Sequence, residues 1–215
     1  MNFTDPDKMK IVCVGMHKTA TTTLVECLKD LGYDVTTESP KFHAVVKGDI
    51  SGCIRILDNT NVVRDIPWFK LYKQLDAVIP NCKFILTVRD EEKWFASVDR
   101  HIGKLRSARH EWVYGRNKGI PSEDKEHTLN VYREHNAEVM DYFKYRMSDL
   151  LVLDFAKYDA WFNLCAFLDR PMPAIPLPQA NRADAREART SDWQIRRRKL
   201  KEWFKIRYYR LQGLI

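Results

Sequence analysis

Long apolar runs are missing from this chain. No stretch within its 215 residues reaches the ~20 consecutive apolar residues that a helix needs to cross a bilayer. The opening segment, MNFTDPDKMK, is polar and contains acidic residues, so it lacks the basic and then apolar pattern of a secretory signal. The two absences predict a cytoplasmic protein without a transmembrane segment.

Paired cysteines and clusters of metal ligands are missing as well. The five cysteines are odd in number, and no two of them are spaced as CxxC. This pattern is typical of buried thiols in a reducing compartment, and it excludes a disulfide framework or a zinc site of the usual kind. The sequence therefore predicts no metal site.

Excess charge is absent from most of the chain. The formal net charge is +7, and residues 192–210 alone contain eight basic and two acidic residues. Because the remainder is close to neutral, a protein coated with positive charge for nucleic-acid binding is not expected. The charge that does exist is concentrated in one C-terminal segment.

What the sequence does contain is an alternation of apolar segments with helical patterns. Strands are predicted over 10–15, 33–37, 61–67, 83–90 and 149–155, with helices between them, the first of which ends at Gly32. Longer helices are predicted over 91–105, 123–147 and 159–168. This order predicts an α/β fold of three layers, α/β/α, around a central parallel sheet. We expect one domain over 1–182, and a basic helical extension over 183–215 that packs on it.

Ligands of such sheets bind where the parallel strands end. That rule selects residues 15–23, Asp65, Arg89 and Asp154. In the first of these segments, Gly15 leaves a strand, Lys18 follows it, and threonines precede the next helix. A helix start offers unpaired N–H groups, so a lysine and hydroxyls beside it predict an oxyanion site.

The segment differs from the usual nucleotide triphosphate loop. That loop ends in adjacent glycine and lysine followed by serine or threonine, whereas Lys18 comes only three residues after Gly15. A loop this short suits one terminal phosphate better than a triphosphate chain.

The stretch GMHKTATTTL, residues 15–24, resembles the 5′-phosphosulfate-binding loop of sulfotransferases that use 3′-phosphoadenosine-5′-phosphosulfate (PAPS). The family pattern is roughly K/R-[ST]-G-T-[ST], which Lys18, Thr19, Thr21 and Thr22 match, while Ala20 replaces the usual glycine. The resemblance extends over most of residues 10–182 and implies a P-loop-like sulfotransferase architecture. It assigns to cofactor binding the residues Gly15, His17, Lys18, Thr19, Ala20, Thr21, Thr22 and Thr23.

A second motif resembles the same family. In ILTVRDEEKWFAS, Arg89 ends a strand and Ser97 follows eight residues later on the next helix. In the family, an arginine and a serine at these places hold the 3′-phosphate of the cofactor. The alternative is that Arg89 only pairs with acidic residues at the start of that helix.

The resemblance implies transfer of a sulfuryl group from PAPS to a hydroxyl or amine of a small-molecule or glycan acceptor. The other product would be adenosine 3′,5′-bisphosphate (PAP). Lys18 would neutralise charge on the leaving phosphate without a metal ion. Asp65 is the first candidate for the general base, with His17, His43 and Glu38 as others, and its alternative role is a helix N-cap.

Two other functions compete with this prediction. One is a P-loop-like small-molecule kinase, and the other is a non-catalytic module that binds anionic surfaces through the basic C-terminal helix. That helix has three interpretations. It could dock with a solvated basic face, it could attract acidic surfaces, or the preceding residues Arg182, Arg186 or Arg189 could close over the 3′-phosphate.

Overall fold

A computed structural model describes residues 9–178 and 192–215. Within that part of the chain, four strands lie at β1 Ile11–Cys13, β2 Val62–Val63, β3 Lys83–Val88 and β4 Leu150–Asp154. The α-helices are α1 Thr21–Asp30, α2 Phe42–Val46, α3 Ser51–Asp58, α4 Tyr72–Val78, α5 Glu91–His101, α6 Ala108–Tyr114, α7 Lys125–Phe143, α8 Ala160–Phe167 and α9 Asp192–Leu211. Short 3-10 helices lie at Trp68–Lys70 and Pro121–Glu123.

The strands form one parallel sheet in the order β2-β1-β3-β4. In its register Ile11 lies beside Val62, and Cys13 lies beside Ile85. Strands that are covered on both faces are apolar throughout, which explains the unbroken run in β1. The predicted α/β fold with a central parallel sheet flanked by helices is confirmed.

One face of the sheet is covered by α1 and α8. Side chains that alternate along the strands point to this face, and they pack against Leu24 and Leu28 of α1 and Leu164 of α8. Gly32, at φ 85°, follows the end of α1, and the Tyr33 N–H donates to the Leu28 carbonyl at 2.9 Å. The helix therefore ends just before the predicted glycine, which adopts the left-handed conformation of a helix cap.

The opposite face of the sheet is covered by the second half of α7. The Phe84 and Phe143 rings lie 4.7 Å apart, and both side chains are fully buried. Leu75 of α4 is also fully buried. Helices on both faces make up the three expected layers.

The contacts divide the chain into two compact units. The first contains the segment up to Asp90 and the segment that starts at Arg133; the second contains Glu91–Tyr132 and α9. The second unit has its own core, in which the Trp94 and Tyr132 rings stack at 4.2 Å. None of the described helices is both long enough and apolar enough to cross a membrane.

The predicted strand over 33–37 is wrong. Only Val35 forms an isolated parallel bridge, to Val62. The Asp34 carbonyl instead accepts hydrogen bonds at 3.0 Å from the backbone N–H groups of Asn61 and Val62, and its own N–H donates to the Asn61 side chain. These irregular bonds take the place of a strand ladder.

The strand predicted over 61–67 is shorter than expected, because β2 contains only Val62 and Val63. Asp65 has a positive φ of 63°, which is outside the strand region. Pro67 has no N–H to donate to a ladder. The helices predicted over 91–105 and 123–147 are likewise shorter, as Glu91–His101 and Lys125–Phe143.

Candidate functional site

The loop between β1 and α1 begins where Gly15 passes close to β3. A Cβ atom on Gly15 would fall 2.6 Å from the Thr87 carbonyl oxygen and still closer to the Thr87 hydroxyl. Real Cβ atoms do not approach so closely, so only glycine fits at this position. The close approach fixes where the loop leaves the sheet.

The loop backbone then turns through two left-handed residues. Lys18 has a φ of 69° and Ala20 a φ of 66°. Ala20 is the N-cap of α1 and makes no side-chain capping bond, and the first turn of α1 contains no acidic residue. Left-handed residues just before a helix turn backbone N–H groups towards one concavity. Because this helix has no side-chain cap, its first N–H groups face the same place, and such a concavity suits an anion.

The threonine hydroxyls of the loop have different surroundings. The Thr19 hydroxyl is fully buried, donates to the Met16 carbonyl at 2.6 Å and forms a second bond of 2.6 Å with the Thr87 hydroxyl. Thr21 donates to the Asp65 carboxylate at 3.3 Å, and Thr23 is buried. Thr22 is half-buried at the start of α1. The Thr19 hydroxyl thus supports the loop from within.

Two cationic side chains lie close together at the loop. The Arg89 guanidinium donates to the Lys18 carbonyl at 3.3 Å, and Arg89 is exposed. Partial burial, and then the charge of Arg89, lower the pKa of Lys18 from its ordinary value, while Asp65 opposes this shift. Both effects disfavour the protonated form of Lys18. An anion bound beside it would offset them and favour that protonated form.

Asp65 lies beside the loop at the end of β2. Its carboxylate accepts the Thr21 hydroxyl and pairs with Arg64, and the side chain is 37% exposed. The following 3-10 helix is capped by Pro67 without a side-chain bond, and Phe69 bonds to the backbone carbonyl of Asp65. The carboxylate therefore bonds to the first residue of α1 and does not cap the 3-10 helix.

The other predicted bases lie in different surroundings. His17 is 8% exposed, and its ring contacts Phe69 with a centroid distance of 6.1 Å. Glu38 lies in an exposed segment, and His43 lies within α2. Asp154, which the strand-end rule also selects, accepts the Ala156 N–H at 2.9 Å in the turn after β4.

Ser97 lies on α5 and is half-buried. α5 belongs to the second compact unit, whereas Arg89 precedes it in the first. That Arg89 and Ser97 hold one phosphate stays a prediction. Arg182, Arg186 and Arg189 lie outside the described residues.

Two residues at the site were not found from the sequence. Thr87 supports the loop through Thr19, and the His135 Nε2–H donates to the Val14 carbonyl at 2.7 Å, just before the loop. Burial lowers the pKa of His135 and so favours its neutral form. His135 also contacts Phe69, with a ring distance of 5.3 Å. Helical periodicity places His135 on a helix, but no local pattern connects it to the loop.

The fold and the site together define a class of protein. A parallel α/β sheet with a tight glycine-initiated loop between an inner strand and the first helix is typical of proteins that bind phosphate groups of nucleotides. The sulfotransferase domain family matches the chain over residues 10–186, and the chain therefore belongs to that family. The family supports a transferase activity of the sulfotransfer type. No curated protein matches the chain.

Proposed function

We propose that this protein transfers a sulfuryl group from PAPS to a hydroxyl or amine of a small-molecule or glycan acceptor. The observation that carries the proposal is the anion loop, in which left-handed Lys18 and Ala20 precede an uncapped helix start. Membership of the sulfotransferase domain family supplies the type of reaction.

The residues present fit the 5′ end of this donor. The loop spans few residues between Gly15 and α1, which suits one phosphate carrying a sulfuryl group. Arg89, which bonds to the Lys18 carbonyl, is the candidate for the 3′-phosphate because guanidinium groups bind phosphate with paired N–H donors. Ser97 is the second candidate for the same phosphate.

The proposed chemistry assigns a separate task to each side chain. PAPS supplies an activated sulfuryl group whose leaving group is a phosphate. Lys18 stabilises the negative charge that grows on that phosphate. Because its ammonium group is partly buried and already in place, little reorganisation of the site is needed during the reaction. Asp65 accepts the proton from the acceptor hydroxyl, while its bond to Thr21 holds the carboxylate beside the loop.

The test is formation of PAP from PAPS in the presence of a panel of phenols, alcohols and sugars. We expect Lys18→Ala to abolish turnover, and Lys29→Ala to leave it unchanged, because Lys29 is exposed on α1 and pairs with Glu26. Asp65→Asn should lower kcat by a factor of ~100 or more while PAP affinity is kept.

Two results would contradict these assignments. If Lys18→Ala turned over at the rate of the Lys29→Ala control, the loop would have no part in the chemistry. Normal turnover by Asp65→Asn would rule out Asp65 as the base and leave the loop assignment intact.

A further inference from the structure

The C-terminal helix α9 is held in the second unit by one of its faces. Ile206 and Tyr209 are buried, and Glu202 accepts the Ala108 N–H of α6 at 3.0 Å. Arg210 donates to the fully buried carboxylate of Glu111, also on α6, at 2.7 Å. These contacts orient α9 and determine which of its side chains face outward.

A cavity of about 350 Å³ lies beside this contact, within the second unit. This volume falls in the range of small-ligand sites, which is ~300–1,000 Å³. Apart from Ile206, the cavity is lined by Arg106, Arg116, Arg207, Arg210, Trp203 and Leu211. The lining is cationic and aromatic, which is the chemistry of a site for an organic anion.

The positive charge of the cavity arginines is only partly neutralised. Arg106 and Arg210 share the single carboxylate of Glu111. Neither Arg116 nor Arg207 pairs with a carboxylate among the described residues, and the Arg207 guanidinium instead lies 5.5 Å from the Trp203 ring centroid. Guanidinium groups bind phosphate oxygens through paired N–H donors, so the cavity suits a phosphate group.

An apolar stripe runs along α9 and meets the cavity at Leu211. Trp193, Leu200, Phe204 and Leu211 are 58–77% exposed, and their spacing of seven, four and seven residues places them on one side of the helix. Basic residues flank the stripe on both sides, including Arg197, whose guanidinium lies 5.4 Å from the Trp193 ring. Exposed aromatic and apolar side chains between basic residues combine the two kinds of group that contact an anionic lipid interface.

The charge pattern selects among possible occupants. A second copy packed on the stripe would bring the flanking basic residues of two helices together, which is unfavourable. A small soluble anion would fill the cavity but leave the stripe exposed. An anionic lipid surface is complementary to both features, because its headgroups are negative and its acyl layer accepts the apolar side chains.

We propose that α9 and its cavity form a peripheral membrane site, in which the arginines bind the phosphate of an anionic lipid headgroup. The apolar stripe then enters the interface beside it. The site lies outside the anion loop and does not depend on the function proposed for that loop.

The test is co-sedimentation of the full chain with vesicles of phosphatidylcholine alone or mixed with phosphatidic acid. We expect binding only to the mixed vesicles, with loss of binding at high salt. The double change Arg116→Gln and Arg207→Gln should weaken binding at least ~10-fold, since both arginines line the cavity. The matched double change Arg55→Gln and Arg100→Gln removes the same charge from exposed positions on other helices and should weaken binding about twofold or less.

A second pair of measurements separates lipid from soluble phosphate and from self-association. Phe204→Ser should weaken vesicle binding without changing the weak binding of glycerol 3-phosphate, and thermal unfolding of each variant verifies its fold. Equal binding to both kinds of vesicle would overturn the proposal. So would glycerol 3-phosphate binding as tight as vesicle binding, equal losses in the two arginine double variants, or dimerisation that is lost in Phe204→Ser without any vesicle binding.

Discussion

Ala20 holds a left-handed backbone conformation in which a side chain is unfavourable. Its φ is 66°, at the position where the family usually has glycine. For a non-glycine residue this conformation costs ~1–2 kcal/mol, part of which is offset by the greater flexibility of glycine in the unfolded chain. We therefore expect Ala20→Gly to raise the free energy of unfolding by ~0.5–1 kcal/mol.

The matched control is the same substitution in an ordinary helix. Ala96 is exposed within α5, and Ala96→Gly should lower the free energy of unfolding by ~1 kcal/mol. Urea unfolding of both variants compares them directly. A loss of stability in Ala20→Gly as large as in the control would show that residue 20 is not left-handed.

Two threonines of the loop are expected to have different roles: Thr19 stabilises the loop, and Thr22 contributes to ligand binding. Thr19→Val leaves the Met16 carbonyl and the Thr87 hydroxyl without their buried partner, which costs ~1–3 kcal/mol of stability. Thr22 is half-buried at the helix start, so Thr22→Val should leave stability within ~0.5 kcal/mol while weakening PAP binding.

Urea unfolding and PAP titration of the two variants check this division. Equal stability of the Thr19→Val and Thr22→Val proteins would contradict the buried hydrogen bonds assigned to Thr19.

At the scale of elements, the β1–α1 loop should bind anions in a manner that depends on Lys18 protonation. Burial and Arg89 lower the pKa of Lys18 below its ordinary value of 10.5, and only the protonated form attracts an anion. PAP affinity should therefore fall as pH rises, beginning below pH 10.5. In Lys18→Arg the side chain stays charged throughout this range, so the fall should disappear. An unchanged pH profile in Lys18→Arg would show that another group causes it.

The pairing of α6 with α9 depends on one buried carboxylate. Glu111→Ala removes the partner of Arg210 and of Arg106 and should destabilise the docking of α9 by at least ~2 kcal/mol. Hydrogen exchange should then speed up in α9 while β3 keeps its protection. The control Glu92→Ala breaks an exposed pair with Lys125 and should change exchange little. Slow exchange in α9 of Glu111→Ala would contradict the account.

Strands β1 and β3 could be predicted because burial on both faces requires continuous apolar residues. Strand β4 lies at the edge of the sheet and is only partly buried, but its segment is still a continuous apolar run. The segment 33–37 could not, since its bonds to Asn61 and Val62 depend on a distant part of the chain. The ends of α5 and α7 also differ from the prediction, because a periodic pattern continues past the last helical hydrogen bond.

For the whole molecule, the sequence predicts that the loop, Asp65 and Arg89 lie where the parallel strands end. In the structure Asp65 bonds to Thr21 and Arg89 bonds to the Lys18 carbonyl. Thr87 and His135 could not be predicted as supports of the loop. Their bonds to Thr19 and to the Val14 carbonyl join segments 68 and 121 residues apart. Local patterns contain no information about such pairs.

The most direct measurement is calorimetric titration of the protein with PAP, 5′-AMP and ATP, with and without magnesium, repeated with Arg89→Ala. The account predicts tight PAP binding that needs the 3′-phosphate and no magnesium. It also predicts that Arg89→Ala loses most of the preference for PAP over 5′-AMP. A preference for ATP with magnesium, or equal affinity for PAP and 5′-AMP in the unmodified protein, would contradict a PAPS-dependent sulfotransferase.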